Sequence, residues 1–359
     1  MCYFKSEVEK FEALMAHYAA SFDSITPEME MIKERFSVML RKDDALKSIG
    51  MGQRDELSAR MMAYNEKGAL PATLTKQELT EMRWYQRLLS AYGNPERIER
   101  FYENGFDYFP THVITAGEPD KFKLFNWGLV PFYQKNEEKA MEDRRNTLNC
   151  ISEEMYEKPS FRDPAAKGQR CLIPITGFFE WRHVDKEGTI KIPYFVTFRD
   201  GQVRSMAGLY TRWKYPDRDE YYYSYTVLTT KANTIMEYVH NAKKRMPVFI
   251  HPGDEKAWLN RDLSKADVME LCRPYDDPMM RAYTIGKMPT PKTIHPNSPE
   301  VLKPFNYNTA IQEANDYFLH GDKKKGLAVF RDVINQEKAK EEHLELALRE
   351  SIMPELSMA

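Results

Sequence analysis

The second residue sets the chemical question. Cys2 directly follows Met1, and a side chain this small makes removal of the initiator methionine chemically easy. The mature chain would then begin with an α-amine and a thiol on adjacent carbons. An α-amine has a pKa of about 7.7–8.0, so a useful fraction is neutral at neutral pH without tuning. A thiol, with a pKa of about 8.5, is only slightly ionised unless a neighbour lowers it. Together the two groups condense with an aldehyde: the amine forms a Schiff base, then the thiol closes a five-membered thiazolidine. The same pair can attack an amide, as in N-terminal nucleophile enzymes. Taken alone, a cysteine at position 2 does not separate these chemistries from chance.

Other residues could serve such a nucleophile. Glu180 stands between Phe179 and Trp181 at the end of an apolar run. A carboxyl group packed on aromatics has a raised pKa through desolvation, which suits a general acid–base. The structural alternative is a strand-end carboxylate paired with Arg182 or Arg170. His240 follows an amphipathic helix and precedes Arg245-Met246-Pro247, where a solvated loop histidine is the plain alternative. Arg144, Arg145, Lys243, Lys244 and Arg245 are candidate phosphate contacts, against a reading as ordinary surface charge. Trp127, Pro131, Phe132 and Trp181 could wedge or stack against bases, although both tryptophans also suit a core.

These residues need a scaffold. From about residue 106 the chain shows short β-type runs at 112–115, 123–130, 171–174, 194–198, 205–210 and 222–230, interleaved with helical pieces at 232–238 and 255–259. This pattern predicts one α+β domain around a mainly antiparallel, barrel-like sheet with flanking helices. Residues 6–105 read as a charged, mostly helical insertion, with capping-box spacing at Thr75 to Glu78 ahead of an amphipathic helix. Residues 307–359 read as a C-terminal helical extension following a catalytic region over 1–306. These terminal helices are candidate contacts for a protein partner.

Composition sets the bounds. The 359 residues are 42% hydrophobic and 13% aromatic, enough for a real core, with a net charge of −2. Proteins that coat long nucleic acid are usually basic, so DNA binding here would use a local basic cleft at a short or damaged site. The four cysteines form no C-x-x-C pair, so neither a zinc site nor a disulfide framework is expected. No phosphate-binding glycine motif is present, and no nucleotide cofactor is expected. The apolar runs are too short to span a bilayer and the start has no apolar leader core, so the expected location is cytoplasmic, away from membrane.

Three segments carry a resemblance. They are Thr147-Leu-Asn-Cys-Ile-Ser-Glu-Glu154 leading to Phe161, Arg170-Cys-Leu-Ile-Pro-Ile-Thr-Gly-Phe-Phe-Glu-Trp181, and His240-Asn-Ala-Lys-Lys-Arg-Met-Pro247. Trp127-Gly-Leu-Val-Pro131, Ala207-Gly-Leu209, Tyr225 to Thr230 and Asn297 to Leu302 add to them. With the Met-Cys start, the chain resembles the SRAP family, the SOS-response-associated peptidases, which crosslink covalently to abasic sites in single-stranded DNA. The resemblance covers about residues 1–5 and 106–306. It implies that Cys2 is the nucleophile and that Asn149 holds its amine and thiol, with Asn146 as a nearby rival. It also implies that Glu180 handles sugar ring-opening and crosslink reversal, and that His240 carries protons. The expected partner is single-stranded DNA containing abasic sites. A Cys2-dependent peptidase acting on its own leader, or a lapsed binding module, are the alternatives. Family members commonly begin Met-Cys-Gly-Arg and carry Asn-Ala-Arg, where this chain has Met-Cys-Tyr-Phe and Asn149-Cys-Ile151. They also carry Asn-x-Ala-Pro where Phe109-Pro-Thr111 stands. Two arginines expected on phosphate are therefore missing.

Overall fold

The computed structural model describes residues 2–22, 91, 97–184, 188, 191–286, 288–289 and 297–307. Fourteen strands carry it: β1 (Phe4–Lys10), β2 (Ser21–Phe22), β3 (Arg97–Asn104), β4 (Pro110–Thr115), β5 (Glu118–Trp127), β6 (Asn149–Ile151), β7 (Arg170–Ile175), β8 (Gly177–His183), β9 (Lys191–Phe198), β10 (Arg204–Lys214), β11 (Tyr221–Lys231), β12 (Arg245–Pro247), β13 (Phe249–Ile250) and β14 (Met280–Thr284). Short helices, including Phe11–Tyr18, Thr234–Val239, Glu255–Leu259 and Lys265–Leu271, flank them. This is the expected α+β architecture. Among the described residues no helix is long and apolar enough to cross a membrane.

The largest sheet closes on itself. β11, β10, β7, β4 and β5 pair in sequence, and a parallel pairing of Ser224 and Tyr225 with Asn126 and Trp127 joins β5 back to β11. Closure removes exposed strand edges, which suits strands buried as continuously as β7 and most of β10 and β11. Gly208 lets two strands approach across the ring. A Cβ there would lie 2.6 Å from the Thr226 carbonyl oxygen and 2.9 Å from Cys171 Sγ. The second sheet, in the order β14–β9–β8–β1–β3, is antiparallel throughout.

The six predicted strand runs and both short helical pieces fall on observed elements. The run read to residue 130 stops at Trp127, because Gly128 adopts a φ of +105° and turns the chain out of the sheet. The helical reading of 6–105 is corrected at both ends. Phe11–Tyr18 is helical, but Phe4–Lys10 and Arg97–Asn104 are paired strands of the second sheet. Lys5, Glu7, Arg100 and Glu103 are buried between them, with Lys5 paired across the strands to Glu103, and period-based reading takes such charges for a solvated helix face. The predicted helices at 75–90 and beyond residue 307 lie outside the described residues.

Candidate active site

β1 delivers Cys2. Phe4 pairs with Phe179 and Lys5 with Phe178 on β8, so one further step of this antiparallel register brings Tyr3 alongside Glu180. Cys2 is buried, 1% exposed, and its thiol donates to the Phe4 carbonyl at 3.6 Å. Burial pushes the thiol up to about 12, and the charge on Glu180 adds to the rise. The resting nucleophile is therefore a protonated thiol.

Glu180 is also buried, on β8 opposite Tyr194 of β9. Burial raises its carboxyl to about 7, only partly offset by the chain's α-amino charge and by the Trp181 N–H, which donates to Oε1 at 3.3 Å. A carboxyl group so placed both gives and takes a proton near neutral pH.

His240 closes the group, its Nδ1 lying 4.0 Å from Glu180 Oε2. The segment is braced onto the end of β8. Asn241 bridges His183 through both its amide atoms, accepting from the His183 N–H at 2.9 Å and donating to its carbonyl at 2.8 Å. Arg182 lies over the Tyr238 ring, 3.7 Å from its centroid, and donates to the Tyr238 carbonyl. Nδ1 of His240 is 2.8 Å from the Arg245 carbonyl. A carbonyl only accepts, so Nδ1 carries the proton. Burial, then the α-amino charge, lower the imidazole to about 4, so it is neutral near pH 7, where Nε2 keeps its lone pair.

Asn149 opens β6, held parallel to Val227 of β11. Both amide atoms of its side chain are buried and neither makes a hydrogen bond, to Cys2 or to any other group. A buried amide in that state is costly and is poised for a polar ligand. Trp127 supports this position: its indole N–H donates to the carbonyl of Leu148 at 2.8 Å.

The predicted DNA contacts divide. Trp127, on the β5–β11 seam, is fully buried and Pro131 is buried, so the stacking expectation for both is corrected: neither offers a stacking face. Phe132, with 55% exposure, presents part of its ring to solvent instead, packed edge-on to Tyr133 and with Lys167 Nζ 5.5 Å from its centroid. Arg245 is corrected as well. Its guanidinium forms a two-pronged pair with Glu153 at 2.8 and 2.7 Å and donates to the Thr229 carbonyl at 2.6 Å. That pair holds Glu153 down to about 2. Arg144 is held between Tyr108, 4.0 Å from the ring centroid, and the Tyr222 hydroxyl at 2.6 Å. Arg145, Lys243 and Lys244 remain outward. Arg145 is 3.2 Å from Glu142 and Lys244 is 4.0 Å from Glu237, both weak exposed pairs. Lys243 is exposed, yet its charge acts on Glu180 and His240, so it lies at the rim of the centre. Sequence reasoning missed the Asn241 brace, although its place directly after His240 was a usable signal.

Comparison with known proteins identifies the family. The sequence profile of the SOS response associated peptidase (SRAP) family matches residues 72–288. The abasic site processing protein YoqW of Bacillus subtilis is 33% identical over 218 residues, covering 57% of this chain and 91% of that protein. The abasic site processing protein HMCES of Gallus gallus is 31% identical over 172 residues, 42% of this chain and 49% of that one. A crystal structure of a protein from Bacteroides thetaiotaomicron is 39% identical with a TM-score of 0.53, covering 58% of this chain and 87% of that chain.

Proposed function

The chain belongs to the SRAP family, and from that premise we propose that it captures abasic sites in single-stranded DNA as a thiazolidine on Cys2. The observation that carries this reading is the convergence of Cys2, Glu180 and His240 at one buried centre. Relatives named abasic site processing proteins support it.

Removal of Met1 frees the Cys2 amine. The closed sugar of an abasic site opens to an aldehyde when its ring oxygen gains a proton and its anomeric hydroxyl loses one. Glu180, half-protonated near pH 7, supplies and accepts these protons. The amine nitrogen then attacks C1′, and the carbinolamine loses its hydroxyl as water to leave a Schiff base. The thiol sulfur adds to the imine carbon while its proton passes to nitrogen, so the net change is loss of one water. Neutral His240 relays a proton through Nε2. Asn149, whose buried amide makes no hydrogen bond at rest, orients the amine.

The test is a denaturing gel and intact mass after mixing the protein with single-stranded DNA bearing one abasic site. A heat-stable adduct, short of the sum of masses by one water and absent in Cys2→Ala, is expected. No adduct from protein whose Met1 is shown to be removed would sink the reading.

A further inference from the structure

Beside the reactive centre sit two aromatic rings that none of these roles uses. Tyr3 follows Cys2 directly, and its ring lies against Phe106 with centroids 5.1 Å apart and planes inclined by 33°. Its hydroxyl is raised by burial, then by the charges of Glu180 and Cys2, so the side chain borders the nucleophile's own surroundings. Phe106 leaves 45% of its surface in water.

The turn that carries Phe106 is built to hold it still. The Asn104 side chain accepts from the Phe106 N–H at 3.1 Å, and the Gly105 N–H donates to the Tyr3 carbonyl at 2.8 Å. The Tyr108 N–H closes the turn onto the Gly105 carbonyl at 3.1 Å. Gly105 is pressed on the buried indole of Trp127, where a Cβ would come within 3.1 Å of the ring. Tyr108 accepts a left-handed backbone, φ 52°, and its ring carries the Arg144 guanidinium. Non-glycine residues enter that region at a cost and persist there when their surroundings over-determine them. A large ring fixed in water next to a buried nucleophile marks a binding surface better than a solvated loop does.

We propose that Tyr3 and Phe106 form a stacking platform for the nucleobase next to the lesion. This rests on the abasic-site capture proposed above. The occupant follows from continuity: a sugar bonded at Cys2 brings its neighbouring nucleotide along the strand, and Tyr3 is the adjacent residue on the protein side. Stacking accepts any base, because each has a π-face. It also supplies grip without positive charge, in a chain of net charge −2 whose residue 3 is an aromatic.

The test compares capture rates on single strands whose abasic site is flanked by adenines with strands in which a baseless tetrahydrofuran spacer replaces one neighbour, each side in turn. For the parent protein, losing the base on one side raises the concentration for half-maximal rate on the order of 10-fold, as expected for one base–aromatic stack. Phe106→Ala and Tyr3→Ala show the same loss on the adenine-flanked strand and no further loss on that spacer strand. The loss falls on half-saturation rather than on the rate at saturation. Tyr3→Phe and Phe106→Trp keep the parent's preference, which separates stacking from folding and from the Tyr3 hydroxyl. Equal half-saturation for the parent on all three strands overturns the platform while leaving Cys2 capture standing. So does a Phe106→Ala loss that is as large on the spacer strand. Absence of any Cys2-dependent adduct removes the underlying function, and this inference with it.

Discussion

Two polar clusters are buried beside the first strand, and they solve the problem of burial in opposite ways. In one, Lys5 donates to Glu103 at 2.8 Å, while Arg100 donates to Glu103, to Thr111 Oγ1 at 2.7 Å and to the Pro110 carbonyl at 2.6 Å. Burial alone would raise the Glu103 carboxyl, but Arg100 and Lys5 together outweigh it and hold the group below its ordinary range. In the other, Glu180 is equally buried, the offsetting charges are too weak, and its carboxyl climbs to about 7. Depth is the same; compensation differs. A carboxylate with two cations is locked into structure, and one without them becomes a proton carrier at neutral pH. Glu7 shows that the division is one of partners rather than place. It sits beside the first cluster with both carboxylate oxygens making no hydrogen bond, and burial raises it too, to about 7.

The comparison breaks most visibly at Glu103. Glu103→Ala leaves Lys5 and Arg100 buried without their shared anion, and the expected loss is about 3–5 kcal/mol of stability. Denaturant unfolding measures it. A loss below about 1 kcal/mol would mean the cluster is far wetter than its burial indicates.

Glu180→Gln should do the reverse. Removing a proton donor–acceptor is expected to slow adduct formation by about 100-fold or more, while stability at alkaline pH rises. The sign follows from the raised pKa. The folded state holds this proton more tightly than the unfolded chain, whose carboxyl titrates near 4.5, so stability is full below that point. It falls as pH climbs toward about 7 and then levels off. A shift of that size corresponds to roughly 3 kcal/mol. The difference in unfolding free energy between parent and Glu180→Gln, followed from pH 5 to 8, should therefore grow in the variant's favour. Using the difference cancels Glu7, which has the same sign, and His240, which has the opposite one. A flat difference would place Glu180 in water.

The same contrast explains what could be read in the chain. Glu180 was legible because it stands in an apolar run, although its strand neighbours Phe179 and Trp181 pack on the other face of β8 and its burial comes from the face it shares with Phe178 and Tyr194. Strands such as β7 and β9 were legible because their own residues are apolar and β-branched or aromatic. β1 was not, since Phe4-Lys-Ser-Glu-Val-Glu-Lys10 is charged and its partners lie far away: Lys5 meets Glu103, 98 residues on. Arg245 was misread for the same reason, its carboxylate partner lying 92 residues earlier. Trp127 and Pro131 belong to a motif the sequence displays, but whether such side chains face solvent is decided by ring closure. Cys2 drew its meaning from the motif segments around it, because position 2 alone does not separate chemistry from chance.

Asn149 gives a sharper, smaller test. Its amide is buried with neither atom hydrogen-bonded, so Asn149→Leu, similar in volume, should raise stability by about 1 kcal/mol. The same change should slow adduct formation on the order of 10-fold, read on the denaturing gel with time. Gain of stability with loss of rate is the signature of a residue kept for chemistry. Loss of both would make Asn149 a packing residue.

The finest distinction lies between Lys243 and Arg245, two cations separated by one residue. Arg245 is spent on Glu153 and Thr229, with 17% of its side chain exposed. Arg245→Gln should therefore cost about 0.5–1 kcal/mol of stability, the worth of a partly exposed pair, and leave the salt dependence of DNA capture unchanged. Lys243 is exposed at the rim of the centre, and its charge acts on both Glu180 and His240. Lys243→Ala should leave stability alone and flatten the slope of log affinity against log salt by about 0.7, the value for one phosphate on a single strand. Titrations of fluorescent single-stranded DNA across a range of salt, using Cys2→Ala protein so that binding stays reversible, separate the two. If the slopes change the other way round, the Glu153 pair opens when DNA arrives, and Arg245 returns to the binding surface.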